Sequence, residues 1–449
     1  MNGRFRNTSC GCVLGLVIVS WIGSACSEES VSRWDVFSEQ TVSQLRRLED
    51  PLEQVEVIKQ FAREDYAESA EYLVELLSDR KVSAIAKSAI ADVLGRYQSE
   101  SARAKVKEAV GTELEQNSYL LRAYIAHGDQ DARKLLLNLA RDGKTPRVQV
   151  LAIEGLHHIG EPGEIPVGYW EALIKWVEDP ETFHGIRVAA ARALSDWEDY
   201  HAVATLMGQL DDPLLRGVSR DGLTRLTGET YWDWNYGWKG WWKENEGDYV
   251  PEPLADEAYE LMLCSLGEAA REDLNEDDPD FFGIKITGRN ILFILDCSGS
   301  MYTENRLARL QDELSAMIAQ LHEGYQFGLL LFPQASIPGR DYGQATDRHI
   351  ERMQEFVQSM TADGLTPMGE AIFHAYHRIV PREEVDTIYL LSDGVPSDTS
   401  LSFLMNEMAG HYEEHQVTVN TIFIGEEPVG RKLMKDVAGL SAGRFIHVP

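Results

Sequence analysis

From Gly283 to its C-terminus the chain alternates short apolar runs with amphipathic segments, and this alternation constrains the fold more than any other feature. The apolar runs are ILFIL, FGLLLF, TIYLLS and VTVNTIFIG, and RFIHV closes the chain. Between them lie RLARLQDELSAMIAQL, HIERMQEFVQSM, MGEAIFHAYHRI, LSFLMNEMAGHYEEH and RKLMKDVAG, each with apolar residues three and four apart. Strands that alternate with helices predict an α/β doubly wound, mostly parallel sheet covered on both faces. Ligands of such sheets bind beyond the carboxyl ends of the strands. The first apolar run ends in Asp296 and the third is followed by Asp393, so both carboxylates are expected at that edge. Thr366, in TADGLTPMGEA just before a helical pattern, is expected on the same rim.

The first of these stretches reads RNILFILDCSGSMY, a buried strand ending in D-x-S-x-S. Asp296, Ser298, Ser300, Thr366 and Asp393 offer two carboxylates and three hydroxyls, all of them oxygen donors. A set without His or Cys suits a hard octahedral cation, best Mg²⁺, which binds one or two carboxylates and keeps some waters. The alternation turns three side chains to one side, with Gly299 expected to permit a tight turn. Neutral hydroxyls leave such an ion underneutralised and able to attract an acidic ligand.

DCSGS, GLTPMGEA and LLSDGVPSD, in that order, resemble the three metal-site loops of the von Willebrand factor type A (VWA) domain. The resemblance runs from about Arg289 to the C-terminus and implies a Rossmann-like fold with a metal-ion-dependent adhesion site. It implies that Ser298, Ser300 and Thr366 touch Mg²⁺ (or Mn²⁺ or Ca²⁺) directly, and that Asp296 and Asp393 act directly or through water. The partner would be a protein that presents Asp or Glu, and no catalysis is implied. Two other readings remain beside this one. A metal-dependent phosphotransferase or hydrolase using Asp296 would need a carboxylate where Ser298 stands and a lysine between the acidic loops, yet none occurs between Lys285 and Lys432. A serine hydrolase would need G-x-S-x-G around Ser298 or Ser300. His374, His377 and His447 read as helix-face and strand residues. The last reading is a structural scaffold with a vestigial site.

The N-terminal half has a different pattern. SAIAKSAIADVLGRY, PRVQVLAIEGLHHIG, GIRVAAARALSDW and LLRGVSRDGLTRLTG are helical in period. Ala152, Ala190 and Ser219 precede Gly155-Leu156, Ala193-Leu194 and Gly222-Leu223 at one offset. Small residues where neighbouring helices stack suit a solenoid, and this region resembles HEAT repeats. Trp232, Trp234, Trp238, Trp241 and Trp242 follow and read as its cap. Glu268 to Asp280 then carries seven carboxylates against Arg271 alone, which reads as a solvated linker across which two units fold separately.

At the N-terminus, Arg4 and Arg6 precede the apolar stretch Val13 to Gly23, too short to span a bilayer, and then GSAC. This resembles a bacterial lipoprotein signal that would leave Cys26 lipidated, with export to the cell envelope and membrane attachment by that anchor alone. The expected divisions are a leader at 1–26, helical repeats at 31–228, a Trp-rich segment at 229–266, the linker at 267–284 and the α/β domain at 285–449. Cys264 and Cys297 read as free thiols, although a bond between them is possible after export. The 42 basic against 73 acidic residues give a net charge of −31, a poor match for nucleic-acid phosphates and a better one for divalent cations.

Overall fold

The computed structural model describes residues 41, 43–45, 47–113, 117–129, 132–159, 166–229, 235–247, 249, 278–333 and 342–449. The leader with Cys26, Cys264, Trp232, Trp234 and most of the acidic linker lie outside the described residues.

The N-terminal region is helical. Its helices are α1 Pro51–Gln60, α2 Ala67–Ser78, α3 Ala84–Arg96, α4 Glu100–Glu113, α5 Ser118–Ala126 and α6 Ala132–Asp142, followed by α7 Pro146–Ile159, α8 Val167–Glu178, α9 His184–Leu194, α10 Tyr200–Gly208, α11 Arg216–Thr227 and α12 Asn235–Asn245. The odd-numbered helices from α1 to α11 form a continuous layer in which each packs on the next odd-numbered one. Second-layer pairs include α2 with α4 and α8 with α10. The small residues singled out above lie in the odd layer. Ala152, Ala190 and Ser219 are fully buried there, as are Leu194 and Leu223. At Gly222 a methyl group would sit 2.9 Å from the side chains of Leu206 and Ser195, so close helix approach requires the missing side chain. Trp238 is fully buried in the same core, with Trp241 and Trp242 half-buried against it and α12 packed on α10.

Of the interval expected to be linker, the described part, 278–284, lies mostly in a small antiparallel hairpin, β1 Asp280–Phe281 with β2 Ile284–Lys285. Phe281 and Ile284 are buried in the core of the α/β domain, and Asp278 forms ion pairs with Arg216 and Arg220 of α11.

The α/β domain then runs β3 Asn290–Asp296, α13 Arg306–Ile318, β4 Gln326–Phe332, β5 Gly343–Gln344, α14 Asp347–Gln358 and α15 Met368–His374. A π turn at Ala375–Ile379 leads into α16 Val380–Glu383, and β6 Thr387–Ser392, α17 Leu401–His415, β7 Thr418–Ile424, α18 Pro428–Leu440 and β8 Phe445–Val448 complete it. The sheet order is β5-β4-β3-β6-β7-β8, parallel throughout except for β5. Ile291, Phe293 and Leu295 pack into the core on one face, and Leu292 and Ile294 into the core on the other. That division explains why ILFIL is continuously apolar rather than alternating. The two-residue strands β1, β2 and β5 carry too little apolar patterning to be seen in the sequence.

The two regions are docked through α17. Leu404 and Met408 face the sheet, while Ser402, Asn406 and Glu413 point at the odd layer, where α17 packs on α1, α3 and α7. Ser402 Oγ donates to Asp50 Oδ2 at 2.7 Å, and the Ala84 amide donates to Asn406 Oδ1 at 2.7 Å. Glu413 accepts from Ser118 at 2.8 Å and from two nitrogens of Arg147 at 3.2 and 3.3 Å. The Arg147 guanidinium also stands 5.5 Å from the centre of the Tyr412 ring. Glu413→Ala leaves Arg147 mostly buried without its charge partner, an expected loss of about 1–3 kcal/mol in docking. Faster amide hydrogen exchange in α17 and α7, with sheet protection unchanged, is the measurement that checks it.

A candidate metal centre at the carboxyl edge of the sheet

Strands β3, β4 and β6 end level with one another, with Asp296 paired to Phe332 and Leu295 to Leu391. The chain leaves β3 to one side for β4 and returns on its other side as β6. The crevice at this reversal of strand order lies between the carboxyl ends of β3 and β6. Asp296 is the last residue of β3, and Asp393 follows β6 directly.

The structure brings four of the expected donors into one hydrogen-bonded network. Asp296 Oδ1 accepts from the Ser298 amide at 2.8 Å, and its Oδ2 accepts from Ser392 Oγ at 2.6 Å. Ser298 Oγ and Ser300 Oγ are 3.0 Å apart, and Ser300 Oγ donates to Asp393 Oδ1 at 2.7 Å. The fifth, Thr366, stands beside them. Its Oγ1 lies 3.9 Å from where a methyl on Gly394 would be, and its amide accepts no role in the network but donates to Ser397 Oγ at 3.1 Å. Burial is graded: Asp296, Ser298 and Asp393 are buried, Thr366 is half-buried and Ser300 is exposed.

Backbone contacts hold the three loops together. The Gly299 amide donates to the Gly364 carbonyl at 3.0 Å and the Asp363 amide to the Cys297 carbonyl at 2.9 Å. The expected tight turn is made, closed by the Met301 amide donating to the Ser298 carbonyl at 3.0 Å, but Gly299 does not adopt the left-handed conformation in it. The left-handed residue of this contact is Gly364, with φ +81°, while Glu304 and Asn305 take φ +56° and +57° before α13.

Several contributors were not singled out in the sequence. Ser392 is a buried donor to Asp296. Asp398 accepts from the amides of Gly369 and Glu370 at 3.1 and 2.7 Å, which caps α15 and fixes the Thr366 loop. Both lie in the quoted motif LLSDGVPSD, where a strand-end hydroxyl and a second acid were legible as polar groups without a target. Arg306 donates to Asp393 Oδ2 at 3.0 Å and to Glu304 Oε2 at 2.7 Å. Nothing local in RLARL marks it, because its partner is brought alongside only by the sheet.

Burial pushes the Asp296 carboxyl up to about 6, and the neighbouring Asp393 adds to the rise while hydrogen bonds from Ser298 and Ser392 oppose it. Burial, with Asp296 close by, also pushes the Cys297 thiol up to about 12, so this free cysteine is unreactive packing.

The donor set fits a hard cation. Octahedral Mg²⁺ with bonds of about 2.1 Å places adjacent ligand oxygens roughly 3.0 Å apart. The 3.0 and 2.7 Å separations among Ser298, Ser300 and Asp393 lie near that spacing. A hydroxyl that donates its proton to Asp393 keeps its lone pairs free for an ion.

Residues 290–448 match the von Willebrand factor type A domain family, about a third of the chain. A curated relative, the uncharacterized protein YfbK of Escherichia coli (strain K12), is 22% identical over 173 residues, covering 36% of this chain and 29% of its own length. The chain thus aligns with under a third of that relative. A solved structure of an aerotolerance-related membrane protein from Bacteroides fragilis NCTC 9343, with multiple mutations to serines, is 14% identical. It covers 36% of this chain and 92% of its own, with a TM-score of 0.28. Among the described residues no helix is long and apolar enough to cross a membrane.

The raised pKa of Asp296 sets a sign for stability. Its neutral form is favoured by the fold, so its contribution is complete below pH about 4 and is lost as pH rises through about 6. In EDTA, the stability of Asp296→Asn relative to wild type should therefore increase between pH 4 and 6, by on the order of 1–3 kcal/mol. Chemical denaturation across that range measures it, and a constant difference contradicts the assignment.

Proposed function

We propose that the C-terminal domain binds another protein through a divalent cation held by Ser298, Ser300, Thr366, Asp296 and Asp393, and that it catalyses nothing. The observation that carries this reading is the pairing of donors with exposed apolar side chains on all three loops. Tyr302 follows Ser300 by two residues, Leu365 precedes Thr366 and Val395 follows Gly394, and all three are exposed, Leu365 by 73%. Large apolar groups that ring a polar centre are typical of protein-binding surfaces. A catalytic cleft would enclose its substrate instead.

The ion would be Mg²⁺, with Mn²⁺ or Ca²⁺ as substitutes, and would act as a Lewis acid toward an Asp or Glu of the partner. Ser298, Ser300 and Thr366 would supply neutral oxygens, which preserves the ion's attraction for an incoming carboxylate. Asp296 and Asp393 would stand behind them, directly or through water, and Arg306 neutralises part of Asp393 from its far side. On a chain of net charge −31 the ion would be a local positive spot where an acidic group can approach.

The helical region fits a HEAT-like solenoid with a Trp-rich cap, and the surface it does not give to α17 serves as a second interaction surface. The leader and GSAC support lipidation at Cys26 and a place in the cell envelope.

The test is a pull-down from cell envelope with the mature protein. Binding should be lost in EDTA, restored by Mg²⁺ or Mn²⁺, and absent in Asp296→Ala with an unchanged circular dichroism spectrum. Leu365→Ala should weaken binding about tenfold while Mg²⁺ affinity stays the same, as expected for an apolar anchor. A partner that binds equally well in EDTA overturns the metal bridge.

A further inference from the structure

At the end of α17, on the opposite side of the molecule's chemistry from the oxygen donors, three titratable side chains converge. One ligand atom each from His411, Glu414 and His415 lies within 4.8 Å of the other two. His411 and His415 are four residues apart, so both imidazoles leave one face of the helix, one turn apart. That spacing with Glu414 beside the second histidine is H-x-x-E-H, an arrangement that helices use to hold zinc.

The surroundings prepare these groups as ligands. His411 is buried, and its Nε2 makes no hydrogen bond although it is shielded from water; Glu407 Oε2, on an exposed side chain one turn back, stands 4.0 Å from it. An unpartnered buried imidazole nitrogen costs about 1–3 kcal/mol unless something occupies it. The ring is held flat against Tyr376, with centroids 4.2 Å apart and planes 7° from parallel.

His377 offers a third nitrogen, and so a fourth ligand, from the π turn, its ring 5.3 Å from that of His411. Its Nδ1 lies 3.0 Å from the Phe373 carbonyl oxygen, which can only accept. The proton therefore sits on Nδ1 and the lone pair on Nε2, the usual second-neighbour arrangement of a metal-binding histidine. Phe373 stacks on the same ring at 4.0 Å. Single π turns inside α-helices are themselves frequent at functional sites. His415 also lines a cavity of about 330 Å³ between the helical region and the α/β domain, which gives an ion a way in.

We propose that His411, Glu414 and His415, together with His377, form a second metal site, selective for a borderline ion such as Zn²⁺ rather than for Mg²⁺. Three imidazoles and one carboxylate match the ligands that zinc takes at about 2.0–2.2 Å. Tetrahedral geometry brings such ligand atoms to roughly 3.3 Å from one another, a contraction that would come from rotation of the exposed Glu414 and half-exposed His415 side chains. The ion would staple the last turn of α17 to the π turn, next to the Gln416 carbonyl that His184 of the helical region contacts.

The experiment is a Co²⁺ titration of the full chain in metal-free buffer. A tetrahedral nitrogen-containing site absorbs intensely in the visible, whereas an octahedral oxygen site absorbs weakly, so the two sites are told apart in one spectrum. The expected result is an intense band that saturates at one equivalent, is displaced by Zn²⁺, survives in Asp296→Ala and is lost in His411→Ala. His415→Gln, at a partly exposed position, guards against misfolding and should remove the band with circular dichroism unchanged. Only weak absorption in the wild type, or an intense band unaltered in His415→Gln and His411→Ala, overturns the proposal.

Discussion

The structure depends on the complete enclosure of β3. Both of its faces are packed in apolar cores and both of its edges are paired to parallel strands, so Ile291–Asp296 has no lateral contact with water. A polar side chain can belong to such a strand only at its end, where the neighbouring loops supply hydrogen bonds. Asp296 occupies that end. Ser392 and the Ser298 amide satisfy its two oxygens, and those same contacts set the positions from which Ser298, Ser300 and Asp393 face one another. The oxygen cluster is thus a product of the core beneath it.

Much of this was legible in the residues. An apolar run of strand length that ends in Asp, repeated a hundred residues later, fixes which sheet edge carries the carboxylates, because strand period and direction follow from local pattern. The hydroxyls of Ser298 and Ser300 were legible for the same reason. Arg306 was not, since a guanidinium on an amphipathic helix looks like surface until the fold brings Asp393 to it. The turn residues were legible only as a group. Gly299 looked like the conformationally demanding position, yet the left-handed backbone belongs to Gly364, whose partner across the loop is set by tertiary contact. Hairpin β1–β2 escaped because the acidic character of the preceding residues masks Phe281 and Ile284.

The docking of the two regions lay furthest from the sequence. The pattern LSFLMNEMAGHYEEH shows an amphipathic helix and therefore one buried face. It does not show that the polar face is engaged too, because Ser402, Asn406 and Glu413 have the composition of a solvated surface. Their partners Asp50, Ala84, Ser118 and Arg147 are between about 260 and 360 residues distant, beyond any local signal. A helix with both faces committed also explains why His411 near its end can be buried without a carboxylate partner within hydrogen-bonding distance.

The polarity of that engaged face has a further consequence. Hydrogen bonds and ion pairs, unlike apolar area, are exchanged for water with little net change in free energy, and the ionic share weakens as salt rises. The contacts from Ser402 to Glu413 therefore behave as a latch rather than a weld. Parting them wets mostly groups that water accepts, and the Tyr412 ring over Arg147 is an apolar surface that it bares. High ionic strength should loosen these contacts at α17, while the buried pairs of Asp278 with Arg216 and Arg220 keep the two regions joined at α11.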